Sequence, residues 1–508
     1  MSFVSVREPG QPGAIGDLMA LVAGAGLPFA FAPFGVFPFA IVSQAILFRC
    51  WQPVSRRRAF WRGWLYGVGM FGVGVSWVQI SIHQFGLPVL AFSVSVTAAL
   101  VLILALYPAF VGWTAKRWFE QNTRWLLLAV LPALWTLGEW LRGWVFTGFP
   151  WLNLGYSQID SPLAAYAPVT GVYGVSLAVA LSAGALVLFV TERKWPLVIL
   201  VAVWLPAVGL SYVQWTTPGS ESLRVALIQG GIEQGIKWDP ALRDQTLDHY
   251  MKLSEPYWGN SRLIVWPETA VPAFGSEVKP FLAQLEHRAN VTGTDVLMGI
   301  PVDEHDERGH LADYYNSIIS LGRSVGRYDK RHLVLLGEYP PFKSVLMPLL
   351  QVLSIPMSDF TAGERDQPPL EAAGLKIAPS VCYEDAFGEE VIDFLPEAQL
   401  LVNVSNDAWF GDSFAPHQHL EIARMRALET GRYLLRATNN GVSAIIDPRG
   451  KVIAESPQFV PHALQGEVRG HSGATPYVRY GNWATVSLAL VLLVASRSLK
   501  TLMAIQPM

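Results

Sequence analysis

Leu375-Lys376-Ile377-Ala378-Pro379-Ser380-Val381-Cys382-Tyr383-Glu384-Asp385 runs from a short β-rich stretch straight into a thiol and two acids. A strand that ends at once on chemically capable side chains points to an α/β fold, where such groups gather at strand ends. The pattern occurs twice more: Glu268 follows Leu263-Ile264-Val265-Trp266 and Pro267, and Lys330 closes Gly326-Arg327-Tyr328-Asp329. Working outward, β-rich runs at 223–228, 262–266, 295–300, 317–321, 375–381, 400–404, 433–437, 442–446 and 466–468 are spaced by helix-length stretches such as 240–254, 276–292 and 416–430. The alternation predicts one α/β domain over residues 216–481, long enough to bury a core of its own. No internal repeat or low-complexity tract appears.

Outside that domain the chain turns apolar. Of its 508 residues 51% are hydrophobic and 15% charged, and the mean hydropathy is +0.31, which makes a membrane protein the leading class. Apolar runs of roughly spanning length lie at about 16–33, 35–49, 61–80, 87–113, 124–141, 163–190 and 195–214, with a last one at about 482–498. They predict about eight transmembrane helices, seven in a membrane domain of residues 1–215 and one in a C-terminal segment of residues 482–508. Pro28, Pro33 and Pro38 interrupt the first two runs, so a kinked or re-entrant pair reads alike there. Nineteen Trp suit a protein with much interfacial surface. A net charge of -3 supplies no basic field of the kind that draws a protein to nucleic acid.

Lys and Arg accumulate on the cytoplasmic side of short loops. One side collects Arg7, Arg49, Arg56, Arg57, Arg58, Arg62, Lys116, Arg117, Arg124, Arg193, Lys194, Arg497 and Lys500, whereas the opposite short loops hold Arg142. Both termini are therefore expected in the cytoplasm and the α/β domain outside, which in a bacterium with two membranes is the periplasm. Arg7 to Gln11 is polar and Pro-containing ahead of the first apolar run, so no cleaved signal is expected. The two cysteines, Cys50 and Cys382, then lie on opposite sides of the membrane, and Cys382 is a lone thiol in an oxidising space.

A cysteine at a strand end is ordinarily a small buried hydrophobe, and a single Glu or Lys after a strand an ordinary surface residue. Together they make a base, a cation and a nucleophile. A thiol attacks carbonyl carbon as the thiolate, so Glu268 is the candidate proton acceptor. Lys330 and the backbone N–H after Cys382 are candidate donors to the oxyanion. Glu338, on the turn before Tyr339-Pro340-Pro341, is placed to orient the lysine or to serve as a loop ion pair. Glu139 and Arg142, at the end of a span, are a candidate interfacial pair. His305 and His310 read as part of a charged, Gly-bearing loop, and His417 and His419 as capping or packing residues, so no metal is expected.

Trp266-Pro267-Glu268-Thr269, Tyr328-Asp329-Lys330-Arg331-His332-Leu333 and Ser380-Val381-Cys382-Tyr383-Glu384-Asp385, in this order, resemble the blocks of the carbon–nitrogen hydrolase (nitrilase) superfamily. Leu336-Gly337-Glu338-Tyr339-Pro340-Pro341, Asn403-Val404-Ser405-Asn406-Asp407-Ala408-Trp409-Phe410, Gly138-Glu139-Trp140-Leu141-Arg142-Gly143 and Gly148-Phe149-Pro150-Trp151 are similar to its membrane-bound branch, the apolipoprotein N-acyltransferases. The resemblance implies an α-β-β-α sandwich and a monomeric acyltransferase without cofactor. It implies transfer of an acyl chain from a phospholipid, typically phosphatidylethanolamine, through a Cys382 thioester to the N-terminal cysteine amine of a diacylglyceryl lipoprotein. It implies Glu268, Lys330 and Cys382 as the catalytic triad and Glu338, Tyr383 and Glu384 as supporting residues. Trp238, which by itself reads as a capping aromatic before a Pro-started helix, is implied to meet substrate.

Two other functions compete. A membrane-tethered amidase resolving the acyl-enzyme with water shares the first half-reaction, and a transporter or scaffold with a dead appended domain would need no triad. Against the amidase stands the loop at 345–355, too apolar for a water-exposed loop, in which Leu346, Met347 and Leu349 are candidate lipid contacts in a mobile lid. The same loop, framed by Pro348 and Pro356, also fits a turn packed into the domain core.

Overall fold

The computed structural model describes residues 13–505, less 53, 120, 121, 193 and 341–358. It falls into two compact units, one of residues 80–93 with 214–481 and one of the rest of the chain.

The latter unit is helical. Gly13–Ala30, Leu90–Trp118 and Pro162–Glu192 are long and apolar enough to cross a membrane, and the bent pair Arg56–Gly74 with Val78–Phe85 makes a fourth if counted as one span. Pro38–Trp51, Leu197–Leu210 and Trp483–Ser498 are apolar but shorter. Among the described residues, fewer helices than eight thus meet the length of a span on their own, because breaks in the regular α-helix divide what reads as continuous apolar sequence. The run at 124–141, for example, is a π-helical turn Leu126–Val130 leading into Leu131–Arg142. Small residues let helices touch: a Cβ on Gly24 would lie 2.0 Å from the Tyr66 carbonyl oxygen. Glu139 and Arg142 both engage the segment that follows their helix. Glu139 Oε1 accepts from Trp135 Nε1 and Leu154 N, both at 2.9 Å, while Arg142 donates to Phe149 O at 2.9 Å and Asn153 Oδ1 at 2.7 Å.

The other unit is built on strands β1 (Thr217–Pro218), β2 (Leu223–Gln229), β3 (Leu263–Val265), β4 (Asp295–His305), β5 (Leu311–Leu321), β6 (Gly326–Asp329), β7 (Leu370–Ala372), β8 (Leu375–Val381), β9 (Leu400–Ser405), β10 (Leu434–Thr438), β11 (Ala444–Ile446), β12 (Val452–Glu455), β13 (His462–Val468) and β14 (His471–Ser472). Among the described residues they form two six-stranded sheets, ordered β13-β2-β3-β4-β5-β6 and β12-β11-β10-β9-β8-β7, besides the β1–β14 pair. Side chains alternate across a strand, and β2 shows what that does. Val225 and Leu227 join Ile377, Val381, Val402 and Leu435 in the core between the sheets. Ala226 and Ile228 face the other way, packing with Leu247, Tyr250, Leu285 and Ala289 of helices Arg243–Ser254 and Lys279–Thr292. Helix Ala415–Thr430 brings Leu420, Ala423 and Ala427 into one cluster with Ala378, Leu401 and Leu434, which alternate with Ile377, Val402 and Leu435 and so lie on the other face of the second sheet, giving the α-β-β-α order.

Boundaries differ from the sequence reading where polar residues extend a strand. β5 begins at Leu311 rather than 317 and β13 at His462 rather than 466, and β1, β7, β12 and β14 are additional. His305 closes β4 instead of lying in a loop, and Asp306 organises the turn by accepting from Arg308 N and His310 N. Residues 80–93, expected in the membrane domain, group with the sheets, and there the Phe85 ring meets Trp409 edge-on at 4.9 Å.

Candidate active site

Three strand ends converge. Glu268 stands three residues past β3, Lys330 directly after β6 and Cys382 directly after β8. The turn Pro267–Thr269 is held against Gly299 on β4, whose N–H donates to Pro267 O at 3.2 Å. A Cβ on Gly299 would lie 2.6 Å from Glu268 Cα, so only glycine lets the Glu268 turn approach. Thr269 at φ 46 and Cys382 at φ 53 both sit in the left-handed region, a cost on the order of 1–3 kcal/mol each that surrounding contacts must impose.

Those contacts are visible at Cys382. Asn403 Nδ2 donates to its carbonyl at 3.1 Å, and His419 Nε2 lies 3.2 Å from the same oxygen. Asn403 is fixed in turn by Arg436, which donates to its Oδ1 at 2.6 Å. Arg436 also bridges Asp385 at 3.2 Å and Asp407 at 2.9 Å, and His419 bridges the same two carboxylates at 2.9 and 3.0 Å. Burial and Arg436 work against a charged His419, but the two aspartates outweigh them and hold its pKa at about 9. Burial opposes ionisation of Asp407 as well, yet Arg436 and His419 keep it well below the ordinary carboxylate range. Cys382, Asp407 and His419 offer atoms within 4.8 Å of one another, but both imidazole nitrogens are engaged as ion pairs beside a guanidinium, an arrangement that repels a metal ion.

Glu384 ties the strand that ends at Cys382 to the loop that carries Lys330. Its Oε2 accepts from Val381 N at 2.7 Å, and its Oε1 from Arg331 N at 2.8 Å and Tyr328 Oη at 2.9 Å. Lys330, 1% exposed, pairs with Glu338 at 2.7 Å. Burial disfavours its charge, but Glu338 and Glu268 more than restore it, so the ammonium persists across physiological pH. Asn316 on β5 bridges the two glutamates, donating to Glu268 Oε1 at 2.7 Å and Glu338 Oε1 at 3.1 Å. Burial raises Glu268, with Lys330 opposing and Glu338 adding to the rise. Its Oε2 is buried without a hydrogen-bond partner in the structure. Burial pushes the Cys382 thiol up, Glu268 pushes it further and Lys330 opposes. At rest the thiol is thus neutral, in the electrostatic field of a buried carboxyl and a buried ammonium.

The structure brings together Glu268, Lys330, Glu338, Cys382 and Glu384. Tyr383 packs its ring against Phe387 at 5.0 Å. Trp238 is 48% exposed just ahead of Asp239, whose side chain caps the turn by accepting from Ala241 N. Leu346, Met347 and Leu349 lie outside the described residues. Sequence reading missed Asn316, Lys237 and the Asp385–Asp407–His419–Arg436 cluster. Asp385 and Asp407 lie inside stretches already singled out and Lys237 directly precedes Trp238, while a polar Asn316 two positions before apolar Ile318 was the remaining signal.

Residues 23–185 match the family described as apolipoprotein N-acyltransferase N-terminal domain, and residues 224–477 match carbon-nitrogen hydrolase. The chain is 47% identical over 476 residues to apolipoprotein N-acyltransferase of Methylococcus capsulatus, covering 93% of this chain and 94% of that one. To the Coxiella burnetii protein of the same name it is 43% identical, covering 94% and 99%. Among solved structures, a carbon–nitrogen hydrolase superfamily protein from Xanthomonas campestris is 22% identical with a TM-score of 0.35, covering 49% of this chain and 91% of that one.

Proposed function

Since the chain belongs to the apolipoprotein N-acyltransferase family, we propose that it takes an acyl chain from a phospholipid onto Cys382 and hands it to the N-terminal cysteine amine of a diacylglyceryl lipoprotein. It is an acyltransferase of lipoprotein biosynthesis with a nitrilase-type domain. The observation that carries the acyl-enzyme step is the Glu268 carboxylate, with one buried oxygen left without a hydrogen-bond partner, in electrostatic contact with both Lys330 and Cys382.

In the first half-reaction the Cys382 proton passes to Glu268 as sulfur attacks the ester carbonyl. Lys330 and the Tyr383 N–H stabilise the oxyanion. The C–O bond then breaks, the lysophospholipid oxygen takes the proton from Glu268, and a thioester remains. In the second half the lipoprotein amine attacks the thioester, Glu268 accepts its proton and returns it to the departing Cys382 sulfur. Glu338, through Lys330, and Glu384, through Val381 and Arg331, keep the cation and nucleophile in register.

The reading extends to an inner-membrane protein of eight spans with residues 216–481 on the periplasmic side, supported by the asymmetry of Lys and Arg between short loops. Isolated acyl-enzyme, offered either a diacylglyceryl peptide or water alone, tests the acceptor. Rapid N-acyl peptide formation with slow hydrolysis is expected, and equal rates would instead favour an amidase.

A further inference from the structure

The loop from Gly231 to Asp239 is anchored by buried polar groups while presenting apolar ones outward. Ile232 exchanges hydrogen bonds with the Asn439 side chain at 3.1 and 2.7 Å, and Asn406 Nδ2 donates to Gln234 Oε1 at 2.7 Å. Ile236 and Trp238 are 47% and 48% exposed, yet Lys237 between them is 3% exposed. A lysine turned inward between two exposed apolar neighbours inverts the ordinary arrangement, and burying an ammonium is costly unless it is well held. Its ammonium donates to the Glu268 carbonyl at 3.1 Å and to Thr269 Oγ1 at 2.6 Å, gripping the turn whose Thr269 has φ 46.

From this geometry we propose that Lys237 is a positioning residue for acyl transfer, which clamps the base-bearing turn to the Trp238 loop and supplies a second cation that favours the Glu268 carboxylate. The inference rests on Glu268 being the base. Burial lowers the Lys237 pKa to about 8, and Glu268 is the anion that opposes the fall, so the two charges support each other. The other ionisable groups acting on Glu268 are Lys330, which favours its ionisation, Glu338, which opposes it, and Cys382, which is neutral at rest.

The test is single-turnover acylation of the full-length enzyme by a phospholipid in detergent between pH 5 and 9, for wild type, Lys237→Met and Glu268→Gln. Lys237→Met is expected to move the acid limb of the profile upward by about half to one pH unit, so that the rate near pH 6 drops several-fold while part of it returns at higher pH. A purely structural lysine would lower the whole curve without moving the limb, and that result, or an unchanged curve, overturns the proposal. Thr269→Val, which keeps the charge but removes one acceptor, carries the test if Lys237→Met does not fold. It is expected to lower the rate about tenfold with the limb in place, and an unchanged rate overturns the clamp. Acylation by Glu268→Gln would refute the base assignment itself, whereas an inactive Glu268→Gln beside an unshifted Lys237→Met refutes only the role of Lys237.

Discussion

Asn316 Nδ2 donates to Glu268 Oε1 at 2.7 Å, so one carboxylate oxygen is fixed while the other is buried without a hydrogen-bond partner. Hydrogen bonds to charged groups contribute about 1.5–3 kcal/mol, or roughly 10- to 100-fold in rate if the bond matters in the transition state. Asn316→Leu is therefore expected to slow acylation by that factor. Asn316→Asp, which sets a second anion beside Glu268, is expected to slow it further and shift the acid limb upward. Stopped single-turnover reactions read both, and a wild-type rate for Asn316→Leu would remove the bridge from the mechanism.

Glu268 and Glu338 are expected to separate in stability as well as in rate. Glu338 partners a buried ammonium at 2.7 Å, so Glu338→Gln leaves Lys330 short of its counterion and should lower the melting temperature by several degrees while cutting acylation about 100-fold or more. Glu268 is buried with an unsatisfied oxygen, so Glu268→Gln should abolish acylation without lowering the melting temperature. Differential scanning fluorimetry in detergent distinguishes them. Equal destabilisation by both variants would contradict the assignment of different tasks.

His419 gives stability a pH signature. Its folded pKa of about 9 lies above the ordinary value near 6.5, so its contribution is complete below about pH 6.5 and disappears as pH rises through 9. Asp407, held low, contributes above its unfolded pKa near 3.9 and loses that contribution as pH falls through its lower folded value. The melting temperature of the wild type should accordingly decline between about pH 7 and 10, and His419→Gln should lie lower with a flatter slope there. A parallel slope in the variant would mean that another group governs the decline.

Topology can be read on intact cells with an impermeant thiol reagent. In a Cys50→Ala, Cys382→Ala background, His310→Cys should be labelled and Arg117→Cys protected until the membrane is opened. The reverse pattern would invert the proposed orientation.

The strands carrying the site were legible because Leu263–Val265 and Leu375–Val381 are apolar runs ending abruptly on polar residues. β7 and β12 were not, since the one is three residues long and the other alternates between half-exposed and exposed positions, so that both look like loop. Asn316 escaped for a related reason: β5 continues outward through Asp313, Tyr314 and Tyr315, residues that show no alternation of apolar and polar faces. The inward turn of Lys237 depends on acceptors 31 and 32 positions away, which no local pattern reveals. Spans were harder still, because Arg56–Gly74 and Val78–Phe85 together are apolar enough for one span and yet are bent by 55°.

The thioester on Cys382 is tested most directly by intact mass. Wild-type enzyme and the Cys382→Ala and Cys50→Ala variants are incubated with a phospholipid of defined acyl chains in the absence of acceptor, then weighed and digested. The expected result is one added acyl group on wild type and Cys50→Ala, mapped to Cys382, released by hydroxylamine, and absent from Cys382→Ala. An acyl adduct of equal yield on Cys382→Ala, or full transfer activity by that variant, would contradict it.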